Sequence, residues 1–121
     1  MAHDHSHGVG VLDDLRGPSK ALRTAIPDVY AGFAATHKAA LEAGVLDESV
    51  KELIALAISV AQQCDGCIAS HARGAAMKGA TPEQVAEALG VAILMCGGPA
   101  TVYGPRAYDA FLEFRAKYES D

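Results

Sequence analysis

Two cysteines and a histidine stand close together in QQCDGCIASH, residues 62–71: Cys64 and Cys67 at C-x-x-C spacing, with His71 four residues past the second. A thiolate rather than a thiol attacks peroxides and disulfides, so a working cysteine needs something that lowers its pKa. Asp65-Gly66 is a turn or helix-starting pair, which puts both cysteines at the N-terminus of a helix. Unpaired N–H groups and the positive end of the helix dipole favour an anion there. His71 falls one helical turn beyond Cys67 on the same face, where an imidazole can take the thiol proton or stabilise the thiolate. Inside a regular helix, residues three apart have Cβ atoms roughly 5–6 Å apart, whereas a disulfide wants about 3.5–4.5 Å. A reversible Cys64–Cys67 bond therefore works best with Cys64 at the helix boundary, and Gly66 lets that turn tighten. The spacing favours a redox dithiol.

Other readings use the same side chains. Cys64, Cys67 and His71 could supply three zinc ligands, but a structural site needs a fourth. Neither a second C-x-x-C nor an H-x3-H is present, so His37 or Cys96 would have to arrive from elsewhere. The cysteines could also be buried and inert, with His71 merely hydrogen-bonded. Glu52 argues for chemistry. On a helical wheel it shares a face with Glu48, Ser59 and Gln63 in a helix that is otherwise apolar. A solvated edge would explain that stripe, but a carboxylate in a largely buried helix is costly without a partner. Glu52 is thus a candidate proton acceptor beside the thiols.

The elements that must hold these residues are helical. From Pro27 onward, Tyr30, Phe33, Ala34, His37 and Leu41 recur at three- and four-residue spacing, and Gly44 follows as a helix-ending residue. His37 lies on that apolar stripe and is expected to be a core or interface histidine rather than a ligand. A second helix is predicted from Asp47 as N-cap to about Gln63, its middle LIALAISVA apolar nearly all round and so enclosed on most sides. A third carries CIASHARGAAMK and ends at Gly79. Thr81-Pro82-Glu83-Gln84 opens the fourth with a capping box and Pro at the first helical position. Val85, Leu89, Ala92, Ile93 and Cys96 form its inward stripe, which makes Cys96 a small buried hydrophobe. Gly97-Gly98-Pro99 breaks the chain before a last helix with Ala107, Phe111, Phe114 and Tyr118 on one face. No run alternates long enough for a strand. The expected fold is all-α, a compact bundle of five to six helices joined by short turns.

A chain of 121 residues fits a single domain, here residues 11–121, with the His-rich opening MAHDHSHGVG expected to be a disordered tail. Half the chain is apolar, yet it has only four Tyr, three Phe and no Trp, so small aliphatic side chains must supply the core. A chain this short leaves spare apolar area, which often ends in an oligomer interface. The net charge of −5 and the scattered basic residues argue against nucleic acid. The longest apolar stretch, Leu53 to Ala61, is about half the ~20 residues of a membrane span. With no signal-peptide pattern and only three cysteines, a cytoplasmic location is expected rather than a structural disulfide framework.

Glu52, eleven residues, Cys64-Asp65-Gly66-Cys67, three residues and His71 together resemble the E-x11-C-x2-C-x3-H signature of the alkylhydroperoxidase D-like proteins of the carboxymuconolactone decarboxylase family. The resemblance runs from Pro27 to Phe114 and includes AMKGATPEQVAEAL and GGPATVYGPRAYDAF. It implies an all-α bundle assembled into trimers or hexamers, and a peroxidase that reduces hydroperoxides through a cysteine pair. It makes Cys67 the peroxidatic thiol, activated by His71, and Cys64 the resolving thiol that closes the disulfide. Glu52 becomes the base, passing protons through a water. No bound cofactor is implied; an external dithiol or a lipoyl-type protein returns the disulfide to dithiol. Members that act as antioxidant reductases often carry a second histidine between the cysteines, where this chain has Gly66. That difference motivates an alternative, a redox-sensing or partner-binding oligomeric module. Muconolactone decarboxylation is the lesser enzyme reading, because true decarboxylases of the family generally lack the C-x-x-C pair.

Overall fold

The computed structural model describes residues 6–119 as α-helices joined by short turns: α1 (Val9–Ala25), α2 (Pro27–Leu41), α3 (Glu48–Ala61), α4 (Asp65–Met77), α5 (Pro82–Cys96) and α6 (Ala100–Glu119). No strand occurs among the described residues, and the fold is all-α. Local chemistry sets several helix ends. Asp47 caps α3, accepting from the Ser49 hydroxyl at 2.6 Å and the Ser49 N–H at 3.3 Å, and these bonds hold its carboxyl below the usual range. Thr81 and Gln84 form the expected capping box at the start of α5, with Pro82 in its first turn.

α3, α4, α5 and α6 enclose the core. Leu56 and Val60 from α3 meet Ile68, Ala72 and Ala75 of α4, Val85 and Leu89 of α5, and Phe111 and Phe114 of α6. Ala72, Ala75, Ala107 and Ala110 are wholly buried, which lets α4 and α6 pack closely along their lengths. One large ring, Phe111, fills the space between these small side chains.

α1 was not anticipated, because helical signals were read only from Pro27 onward. Pro18 stands inside it, none of its residues is fully buried, and only Val9 and Leu12 reach the core cluster. What holds its start is a distant carboxylate. Glu113 of α6 accepts from the Val9 N–H at 2.9 Å and from the Ser6 hydroxyl at 3.0 Å, while the Ser6 oxygen accepts from the Gly10 N–H at 2.8 Å, so the first N–H groups are satisfied jointly by a nearby serine and a distant carboxylate. Gly8 permits this approach, since a Cβ there would lie 2.6 Å from Glu113 and 2.8 Å from Phe114. Residues 6–10, expected to belong to a disordered tail, form this junction. His3 and His5 lie outside the described residues.

Apolar faces differ from expectation on three helices. The stripe of Tyr30, Phe33, Ala34, His37 and Leu41 on α2 does not enter the core of this chain: the helix has no buried residue, and Phe33 is 67% exposed. α3 is expected to be enclosed on most sides, yet Ile54 and Ile58 stand 46% and 52% exposed on a face that nothing among the described residues covers. On α5, Ile93 turns outward and Cys96 is only half-buried, a free thiol against the core edge. Periodicity identifies an apolar face without saying whether the same chain covers it. Among the described residues, no helix is long and apolar enough to cross a membrane.

The alanine-lined core makes Phe111 its least replaceable side chain. Phe111→Ala is expected to lower stability by about 3–5 kcal/mol, read as a shift of the urea unfolding midpoint.

Candidate thiol–disulfide site

The chain passes from α3 to α4 through a tight reversal. Gln63 takes a left-handed conformation, φ 55°, and Cys64 returns to extended backbone as the N-cap of α4. The Cys64 N–H donates to the Ser59 carbonyl at 3.2 Å, closing the end of α3. The Cys64 sulfur then does what a capping oxygen does elsewhere: the Cys67 N–H donates to it at 3.2 Å. Cys64 and Cys67 are disulfide-bonded, with Cα atoms 5.2 Å apart. The boundary position of Cys64 allows this bond. Once it is reduced, both sulfurs sit where the N–H groups of α4 favour a thiolate.

Two other helices brace the motif. Asp65, in the first turn of α4, is 3.5 Å from the Arg106 guanidinium of α6, which also lies 4.6 Å over the Tyr103 ring. A Cβ on Gly66 would stand 3.2 Å from Leu15 of α1, so the unanticipated helix rests directly on the Asp65-Gly66 turn. The position between the cysteines is thus crowded by α1.

One turn along α4, His71 Nδ1 lies 2.8 Å from Glu52 Oε1 of α3. Glu52 is 7% exposed, and the imidazole is the partner that such a buried carboxylate requires. A neutral His71 donating from Nδ1 to this carboxylate keeps Nε2 free to accept a proton. The Glu52 carboxyl thus reaches the site through the His71 ring. Glu48 and Gln63, expected on the same stripe, take no part in this bond. Glu48 pairs with Lys78 at 3.1 Å, and Gln63 is exposed. Ser59 is buried, its hydroxyl satisfied by the Ala55 carbonyl at 2.7 Å.

Two further residues lie against the Glu52–His71 pair. Gly74 sits three residues past His71, and a Cβ there would collide with the Glu52 carboxyl. A mid-helix glycine costs about 1 kcal/mol relative to alanine, so its presence signals a close approach, but only the structure says of what. His37 of α2 is the other. It is an exposed residue whose ring stacks on His71, centroids 5.8 Å apart and planes at 18°. His37 also lines a cleft of about 270 Å³ together with Lys38, Glu42, Glu48, Glu52 and Lys78. Among the described residues, no cluster of three or more His, Cys, Asp or Glu is placed to hold a metal ion.

Gly74→Ala provides a test of this packing. The usual gain in helix propensity is expected to be outweighed by overpacking against Glu52, for a net loss of about 1–3 kcal/mol. Glu52→Ala introduced together with Gly74→Ala should recover part of that loss in urea unfolding, because the colliding carboxyl is gone.

Residues 27–115 match the family described as "CMD: Carboxymuconolactone decarboxylase family". An uncharacterized protein of Cupriavidus necator is 42% identical over 100 residues, covering 83% of this chain and 88% of that protein. A Paracoccus denitrificans protein, described as uncharacterized protein 4 in the cox locus, is 41% identical over 75 residues, 62% of this chain and 68% of its own length. Among solved structures, the apo form of a carboxymuconolactone decarboxylase family protein from Legionella pneumophila superposes with a TM-score of 0.84 at 39% identity, covering 88% of this chain and 95% of that one. A family match across most of the chain, joined to this fold, places it: the protein belongs to the carboxymuconolactone decarboxylase family.

Proposed function

We propose that this protein reduces hydroperoxides through the Cys64–Cys67 pair, as an alkylhydroperoxidase D-like member of its family. The observation that carries the reading is the placement of the Cys64–Cys67 disulfide at the N-terminus of α4, one turn from an imidazole bonded to the buried Glu52 carboxylate. In the dithiol form, the Cys67 proton passes to His71 Nε2, and Glu52 stabilises the resulting imidazolium. The Cys67 thiolate attacks one oxygen of the hydroperoxide. The O–O bond breaks, and the departing alkoxide takes the proton from His71 to leave as an alcohol. Cys67 is then a sulfenic acid. Cys64 attacks the Cys67 sulfur and expels hydroxide, which leaves as water with the Cys64 proton. The balance is one hydroperoxide and two thiols giving alcohol, water and disulfide. An external dithiol, free or lipoyl-type on a donor protein, supplies the two electrons that restore the thiols.

Peroxide consumption with a small dithiol as donor tests this. Cys67→Ser is expected to abolish turnover. Cys64→Ser should permit one equivalent of peroxide to react and leave a trappable sulfenic acid at Cys67. Full activity in Cys67→Ser would sink the reading.

The proposal includes a homo-oligomeric working form, trimer or hexamer, supported by the uncovered apolar faces of α2 and α3. A second reading, a module whose assembly responds to the disulfide, is favoured by Leu15 resting on Gly66, since opening the bond loosens the turn beneath α1. Analytical ultracentrifugation of the reduced and oxidised protein separates these. Hydroperoxide reduction predicts the same oligomer in both states. A monomer in both states removes the oligomer, and a redox-dependent mass supports the module.

A further inference from the structure

His37 calls for an explanation that the fold does not supply. It is exposed, on a helix with no buried residue, and it makes no hydrogen bond or ion pair among the described residues. Its contacts are with rings: His71, nearly parallel at 18° with centroids 5.8 Å apart, and Phe33 one turn earlier on α2, tilted at 6.3 Å and 50°. Core packing does not account for an imidazole held nearly parallel to the one imidazole in the thiol site.

We propose that His37 is the positioning residue of the His71–Glu52 pair, holding the His71 ring plane so that its Nε2 meets the thiols. The bond from Nδ1 to Glu52 fixes the direction of one ring nitrogen and leaves the tilt of the plane free. A flat neighbour at stacking distance removes that freedom. The requirement is real for a ring that accepts a proton from Cys67 and returns it to the departing alkoxide, because both transfers need the same nitrogen aimed at the same place. Gly66 offers no side chain to do this from within the motif, and Leu15 occupies the space beside it. α2 brings the ring from outside instead. Its arrival also closes one side of the pair, since His37 forms part of the wall of the cleft that Glu52 lines. The charged groups around that cleft are Lys38 and Glu42 from the end of α2, Glu48 from α3 and Lys78 from the end of α4, and Glu48 and Lys78 are paired.

Two variants of the full chain decide the matter. His37→Phe keeps a flat ring and loses the imidazole nitrogens. His37→Leu keeps apolar bulk for docking α2 and loses the flat face. The expected result is that His37→Phe stays within about twofold of wild type in kcat, while His37→Leu falls on the order of ten- to a hundredfold with KM unchanged. Carbon-13 relaxation of the His71 ring in the reduced protein gives a second readout, with the ring rigid in wild type and His37→Phe and mobile on the picosecond-to-nanosecond scale in His37→Leu. A merely structural role would lower the thermal midpoint without loosening His71. His37→Leu matching wild type in both kcat and His71 relaxation overturns the inference, as does His37→Phe failing to the same degree as His37→Leu. The kinetic arm rests on the hydroperoxide reading and the relaxation arm does not. If wild type consumes no peroxide, that reading fails and ring relaxation alone decides the role of His37.

Discussion

A carboxylate buried between two helices organises this molecule. Glu52 is held almost out of water, and burial of that kind is tolerable only with a partner of matching chemistry at bonding distance. His71 provides it, which sets the rotation and the register of α4 against α3. Gly74 makes room for the same carboxyl, so the contact is steric as well as polar. With α4 placed in this way, the turn between the helices has little freedom, and Cys64 falls at the N-cap with its sulfur toward the Cys67 N–H. The redox pair inherits its position from an interaction one turn beyond Cys67.

The rest of the core serves that arrangement with modest means. Alanines on α4 and α6 allow close approach, and Phe111 and Phe114 supply the large rings between them. α1 is tied at its start to Glu113, lies along α4, and sets Leu15 against Gly66 of the site. α2 is attached more lightly still, and reaches the site through the ring of His37. The site is therefore rigid on the α3–α4 side and is completed from outside by helices that bury little. Outward-facing Phe33, Ile54 and Ile58 leave apolar area for a further surface to cover.

Much of this was legible in the residues. The spacing from Glu52 through Cys64 and Cys67 to His71 marked side chains that the structure brings together in two pairs, Cys64 with Cys67 and Glu52 with His71, because helical periodicity and helix-end chemistry are local rules. The starts of α3 and α5 were readable for the same reason: Asp47, Thr81 and Gln84 bond to N–H groups two or three residues away. α1 was not readable. Its N-terminus is satisfied by a carboxylate more than a hundred positions later, and its interior holds a proline that argues against a helix.

By itself, then, the sequence determined the all-α class, the main helices of the bundle, and which side chains could form a thiol site. Each of those follows from interactions spanning one or two helical turns. Tertiary structure alone decided the direct Glu52–His71 bond, the clearance at Gly74, the stacking of His37 and the outward turn of the α2 and α3 apolar faces. These depend on which surfaces of separate helices meet. A helical wheel shows that a face is apolar or polar, but not what stands opposite it.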